Sequence, residues 1–313
     1  MSSASPLISV IMPCYNAANV IEKTVANLFK QTLKDFELII IDDGSTDNSI
    51  HILKKISKTY PSVIIFQQHN QGPGSARNRG IKTASGKFIA FLDADDSWEP
   101  AFLYKLHSAL SNSPDCVLAY CGWQNIGLEP NQCKPYIPPD YEQSNKLALL
   151  LDNCPWPIHA ALTYKTSIEK VGGFSEKWLT AEDFDMWLRI TIFEKIVRVP
   201  EVLAYYHHQE QTNQISKLRL RAILNHWEVQ TAFINNFGDA SKTLTKKKAN
   251  EIINNRLLHS AYECYWANDL YAAHILFRKI INLDLLNFRN FRYILPSLLP
   301  YPLYRIIVNR LRS

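Results

Sequence analysis

Residues 88–98 read FIAFLDADDSW, an apolar run that ends in Asp93, Asp95 and Asp96. Three carboxylates so close together repel one another, and burying any of them without a partner is costly. On extended backbone alternate side chains share a face, so Asp93 and Asp95 point the same way. A hard divalent cation, Mg2+ or Mn2+, removes the conflict because it takes carboxylate oxygens. Such an ion normally goes on to bridge phosphate oxygens and offsets charge building on a leaving diphosphate. Helix capping would explain one of these acids, not three.

Other residue types with chemical potential lie nearby in the sequence. GPGSARNRG, from Gly72 to Gly80, has Arg77 where a dinucleotide fingerprint would carry its third glycine, and no P-loop motif occurs. Gly72 and Gly74 then serve a tight turn, and Arg77 and Asn78 project toward a nucleotide or anion; the alternative is a solvated helix residue. TAEDFDMWLRI places Glu182 and Asp183 in the first turn of a helix, where the macrodipole favours acids. Asp183 is also suited to act as a general base toward an attacking hydroxyl. In AYYHHQEQ, His207 and His208 follow a strand and face opposite ways. One reads as a core histidine and the other as a metal or phosphate ligand.

Elements of alternating type must position these residues. Leu7–Pro13, Phe36–Asp42, Val63–Phe66 and Phe88–Leu92 are continuous apolar runs, as in parallel strands buried on both faces. Between and after them Ile21/Val25/Leu28, Ile50/Leu53/Ile56 and Phe102/Leu106/Leu110 recur at helical spacing. The alternation predicts βαβ units and an α/β sheet whose ligands sit beyond the strands' C-terminal ends. PCYN, DDGSTD, NQGPGSARNRG and DADD all fall at that edge. Residues 127–150 carry four prolines in LEPNQCKPYIPPDYEQSNK and predict a loop or flap. IHAALTY reads as a strand, Ala181–Phe193 as a helix and IVRVPEVLAYY as a strand or bent hairpin. Past about Lys217 the pattern is helical, which divides the chain into 1–215 and a helical extension, 216–313.

The chain has 313 residues, 47% apolar and 20% charged, ordinary for a globular protein with a sizeable core. A net charge of +5 argues against a nucleic-acid partner. Its six cysteines lack metal-site spacing and are expected to be reduced and structural, hence cytoplasmic. No signal peptide and no spanning run are evident. The excess charge lies in the tail: beyond Asp284 there is no acid, only Arg289, Arg292, Arg305, Arg310 and Arg312. Mixed with Leu, Ile and Tyr, these arginines suit an anionic membrane surface; the alternative is a packed helix with a basic end.

SVIMPCYN, DFELIIIDDGSTDNS, NQGPGSARNRGI, GKFIAFLDADD and EDFDMWLR, in that order over about residues 6–210, resemble the family 2 glycosyltransferases. The resemblance implies the GT-A fold, a Rossmann-like mixed sheet flanked by helices, here with an α-helical C-terminal extension. It implies an inverting, Mn2+- or Mg2+-dependent transfer from a nucleotide-sugar to a saccharide or lipid-linked acceptor. Carried onto matching positions, Asp43 would contact the base in a pocket lined by Pro13, Tyr15 and Arg77. Asp93 would meet the ribose, and Asp95, with Asp96 adjoining, the metal. Asp183 would be the base, and His208 would sit near metal and diphosphate. The family's Y-R-x-H pattern reads Tyr205-Tyr206-His207-His208 here, without the arginine. Q-x-x-R-W is absent as well, so the resemblance is to non-processive enzymes that assemble surface polysaccharides. The rival readings are a metal-dependent nucleotidyltransferase and a catalytically degenerate nucleotide-sugar-binding protein.

Overall fold

The computed structural model describes residues 5–143, 145–208, 215–237, 244–283 and 290–312. They form two units, Met1–Leu150 with Cys154–Glu210, and Leu151–Asn153 with Gln211–Ser313.

The first unit is built on one eight-stranded sheet. Its strands are β1 (Ile8–Cys14), β2 (Phe36–Asp42), β3 (Val63–Gln67), β4 (Phe88–Phe91), β5 (Ser97–Trp98), β6 (Cys116–Ile126), β7 (Ala161–Tyr164) and β8 (Lys195–His207). In space the order is β3-β2-β1-β4-β7-β6-β8-β5. The first four strands are parallel, β7 is antiparallel to both β4 and β6, and β6 and β8 are parallel. The expected mixed sheet is thus present. Ile8, Val10, Ile11 and Met12 of β1 and Leu38–Ile41 of β2 are fully buried, as runs covered on both faces must be.

The helices are α1 (Ile21–Leu28), α2 (Ser49–Thr59), α3 (Pro73–Thr83), α4 (Phe102–Ser111), α5 (Lys146–Asp152), α6 (Lys165–Lys170) and α7 (Glu182–Thr191). The predicted apolar stripes face inward: Ile21, Val25 and Leu28; Leu53 and Ile56, with Ile50 of the same stripe half-buried; Phe102, Leu106 and Leu110. α3 lies close on β1 because Gly80 lets it; a Cβ there would stand 2.4 Å from Ile11 Cγ2.

β1 pairs with β2 as far as Cys14 but with β4 only as far as Ile11. Pro13, which has no N–H to give, falls beyond that last pair. The order of strand addition also switches sides at β1: β2 and then β3 lie on one side of it, and β4, parallel to it, on the other. A crevice at such a switch is where open α/β sheets take ligands.

One expectation needs amending, and of another pair of readings the strand holds. The 127–150 stretch is not all loop. Tyr136 makes a bridge to Trp123, Tyr141–Gln143 is a 3-10 turn, and α5 buries Leu147, Leu150 and Leu151. IVRVPEVLAYY is not a hairpin but part of one long strand. Its pairing jumps from Cys121–Val199 to Gly122–Val202, and the bulge absorbs Pro200, which cannot donate to a ladder.

The second unit is helical, as expected: α8 (Ile215–Phe237), α9 (Lys246–Trp266), α10 (Leu270–Ile281), α11 (Phe291–Ile294) and α12 (Tyr301–Arg312). Thr245 and Asp269 cap α9 and α10. Leu257, Ala261, Leu276, Phe277, Ile280, Ile294 and Tyr304 share its core. Arg289 of the basic tail lies outside the described residues. Among those described, no helix is long and apolar enough to cross a membrane. All six cysteines are free.

Gly86 precedes β4 with its backbone against β1. A Cβ there would lie 2.6 Å from Ser9 N and 2.7 Å from the Ile8 carbonyl carbon, and backbone yields little. Gly86→Ala is expected to cost about 1–3 kcal/mol, read as a lower urea midpoint. A midpoint equal to wild type would show that the strand relaxes freely.

Candidate functional site

The loops after β1 and β2 are tied together. Asn16, at φ 51°, accepts on Oδ1 from Thr46 N at 2.8 Å, and Asp47 Oδ2 accepts from Ala18 N at 3.0 Å. Cys14 ends β1, where burial and then Asp42 push its thiol up to about 12, so it stays neutral.

Asp43 is buried just past β2. Its Oδ1 accepts from Gln68 Nε2 at 2.8 Å and Gln71 N at 3.0 Å, and its Oδ2 from Gly72 N at 2.8 Å. One carboxylate therefore shapes the loop leading into α3. Gly72 caps that helix at φ 87°, a conformation for which glycine is suited, and Pro73 opens it. Pro13 is part-buried in β1, and Tyr15, beyond it, is half exposed.

One helical turn into α3, Arg77 is 4% exposed and so is not a solvated helix residue. Its Nη2 donates to Asp93 Oδ1 at 2.7 Å and its Nη1 to Glu182 Oε1 at 2.9 Å. Its guanidinium also lies 5.5 Å from the Phe174 ring centre. Burial opposes its charge, but Asp93 and Glu182 outweigh burial and hold the guanidinium protonated. Burial pushes the carboxyls of Glu182 and Asp183 up, Arg77 opposes this, and nearby acids add to the rise. Asp183 Oδ1 accepts from Phe184 N at 2.7 Å. Arg77, Asp93 and Asp183, singled out separately in the sequence, thus come together, with Glu182 as the member sequence reasoning left as a first-turn acid.

Asp96 is 1% exposed. Its Oδ1 accepts from His207 N at 3.0 Å, and its Oδ2 lies 3.0 Å from Nδ1 of fully buried His159. The histidine contact is an ion pair when the imidazole is protonated. Burial disfavours the imidazolium, but Asp96, then Asp93 and Asp95, raise the His159 pKa. His159 is a residue that sequence reading missed. It stands inside the apolar WPIHAALTY, where nothing distinguishes it from a core histidine.

The ends of β8 separate the two tail histidines. His207 turns to Ser97, Nε2 to Oγ 2.8 Å. His208 packs on Tyr206, ring centres 4.6 Å apart, and Tyr206 is 5.7 Å from His159. Burial, then Asp96, Asp93, Asp95 and Asp183, raise the Tyr206 pKa, so this phenol stands among the acids. Burial lowers both His207 and His208.

Among the described residues, Asp93, Asp95, Asp96, Glu182 and Asp183 gather around Arg77 and His159. This excess of hard oxygen donors fits a divalent cation. Among the described residues no three side chains converge as a ready ligand set. Mg2+-like ions commonly take only one or two carboxylates and complete their shell with water and phosphate. Both oxygens of Asp96 are engaged within the fold, and Asp95 stands part-buried beside it.

The family model described as "Glycosyl transferase family 2" matches residues 9–171. An uncharacterized glycosyltransferase of Escherichia coli K12, YibD, is 39% identical over 140 residues, 45% of this chain and 40% of that protein. One from Methanocaldococcus jannaschii is 27% identical over 242 residues, 74% of this chain and 83% of that protein. Chondroitin synthase of Escherichia coli is 26% identical over 234 residues, 74% of this chain and 33% of that one. Among solved structures, residues 1–349 of S. aureus TarS in complex with UDP-GlcNAc superpose with TM-score 0.66 at 18% identity, covering 98% of this chain and 91% of that one. A mannosyltransferase from Pyrobaculum calidifontis in complex with GDP-Man and Mn2+ gives 0.60 at 18%, covering 98% and 84%. Both share the fold of this chain.

Arg77→Leu would leave Glu182 and Asp93 without their buried cation, at a cost of about 3–5 kcal/mol. Glu182, Asp183 and His159 all have raised folded pKa values. The folded chain therefore holds protons that the unfolded chain has released. Their contribution is fully present below the unfolded values and is lost as pH rises through the folded ones. Urea midpoints are expected to fall as pH rises from acid through neutrality, more steeply in Arg77→Leu. A flat profile in the variant would contradict the balance between these acids and the guanidinium.

Proposed function

The chain belongs to glycosyltransferase family 2, and from that membership we propose that it transfers a sugar from a UDP-sugar donor to a hydroxyl of a saccharide or lipid-linked saccharide, with inversion, in surface polysaccharide assembly. The observation that carries this reading is the Asp183 carboxyl beside the Arg77–Asp93 pair, at the edge where four parallel strands end. The donor nucleotide is inferred from TarS, whose structure holds UDP-GlcNAc. The metal is inferred from the mannosyltransferase, whose structure holds Mn2+.

In this reading residues 1–215 are the catalytic domain and 216–313 an extension. Asp43, with Pro13 and Tyr15, holds the base, and Asp93 the ribose. Arg77 lines the same pocket and keeps Asp93 and Glu182 in place. Asp95 would hold the Mn2+ or Mg2+, with Asp96 adjoining and His208 at the end of β8. When bound, the ion supplies positive charge against the leaving diphosphate.

Asp183 takes the proton of the acceptor hydroxyl while that oxygen bonds to the anomeric carbon. The bond from that carbon to the diphosphate oxygen breaks in the same step, with the electron pair leaving on the diphosphate. Attack opposite the leaving group inverts the centre. Burial makes Asp183 a stronger base than a solvated carboxylate, and Arg77 keeps its ionised form accessible. Nucleotide-sugar chemistry puts the enzyme in the cytoplasm, at the membrane where a lipid-linked acceptor would be met.

Asp183→Asn is expected to lower transfer by about 10²–10⁴-fold while leaving the donor-induced thermal shift in Mn2+ near wild type. Near-normal transfer would remove Asp183 as base. Chelation is expected to abolish the shift with UDP-sugar, and Mn2+ to restore it. A shift indifferent to chelation would remove the metal from donor binding.

A further inference from the structure

The last described stretch of the second unit carries apolar side chains that its own core does not use. α12 packs inward through Tyr304 and Val308, one helical turn apart. At about 100° per residue, Leu303, Ile306 and Arg310 fall on the opposite side. Leu303 is 50% exposed and Ile306 51%. Just upstream, Leu295–Leu298 form a 3-10 turn, which eclipses residues three apart. Leu295 and Leu298 are accordingly both outward, 47% and 56% exposed, while Ile294 and Ser297 are buried. So dense a set of exposed aliphatic side chains marks an interaction surface.

The charges around it have one sign. From Asn290 to Arg312 there are four arginines and no carboxylate. Arg312 donates to Asn268 and lies over the rings of Tyr265 and Trp266, and Arg292 lies on Tyr293. Arg310 lies on the exposed side of α12 and Arg305 on its flank. Aliphatic side chains bordered by long cationic ones match a boundary between acyl chains and anionic headgroups.

We propose that residues 295–310 are a docking surface for an anionic bilayer, with Leu298, Leu303 and Ile306 entering the headgroup boundary and Arg305 and Arg310 meeting lipid phosphates. A second copy of the chain is the poorer occupant, because a two-fold contact would set arginines against arginines. The inference does not depend on which reaction the first unit performs.

The test is flotation of the full chain with vesicles of two parts phosphatidylcholine to one part phosphatidylglycerol, against phosphatidylcholine alone. The chain is expected to float with the anionic vesicles only, and less so in high salt. Leu303→Glu with Ile306→Glu, and separately Arg305→Gln with Arg310→Gln, should each cut binding at least about tenfold. The arginine pair is exposed, so its replacement spares the core; unchanged circular dichroism and an unchanged donor-induced thermal shift would show that each variant is folded. Equal flotation of either folded variant, or no flotation with any vesicle, overturns the proposal. So does sedimentation showing a dimer that the Leu303/Ile306 variant loses, since the surface would then join two copies.

Discussion

A single buried guanidinium organises the first unit. Arg77 on α3 bonds to Asp93 at the tip of β4 and to Glu182 at the start of α7. The distant α7 is thereby fixed, with α3 and the end of β4, to one planar group. An arginine suits the task because its fork presents fixed donors and its charge persists when buried. Without it, burial would force the surrounding acids to take up protons. The site thus has its acids buried enough to be basic and close enough to one cation to ionise.

A second tie acts upstream of the first. Asp43 accepts from two amides and a side chain of the loop that enters α3. That contact sets where α3 begins, and hence where Arg77 reaches one turn later. The Asp43 loop and the acid cluster are mechanically one assembly, joined by α3 lying tightly on β1 at Gly80. The DADD turn is held from its other side by Asp96, which grips the backbone of β8 and sits against His159.

Much of this was legible from residues alone, for a physical reason. Strands buried on both faces must be continuous apolar runs, and helices on such a sheet must carry a stripe, so β1–β4 and α1, α2 and α4 were plain. β6 was not, because CVLAYCGWQNI mixes a glycine and polar residues into its apolar part. The clustered acids announced themselves by mutual repulsion, and the family motifs placed them. What the sequence could not reveal was pairing at long range. Arg77 meets Glu182 across 105 positions, and His159 looks like one more core residue until Asp96 is found beside it. The short amphipathic α5 escapes a sequence reading of 127–150 because the prolines before it dominate the pattern.

The irregular pairing of β8 has a result that reaches its far end. Between the pairs Cys121–Val199 and Gln124–Tyr205, β6 advances three residues and β8 six. The surplus is odd, so the alternation of side chains along β8 is out of step with β6 past the bulge. Tyr206 and His208 end up together beside the acids, and His207 goes to Ser97. Losing or gaining one residue near Pro200 would exchange the two histidines' places without altering either of them. The length of the bulge near Pro200, and not the letters of the motif, therefore decides which imidazole lies beside the acids.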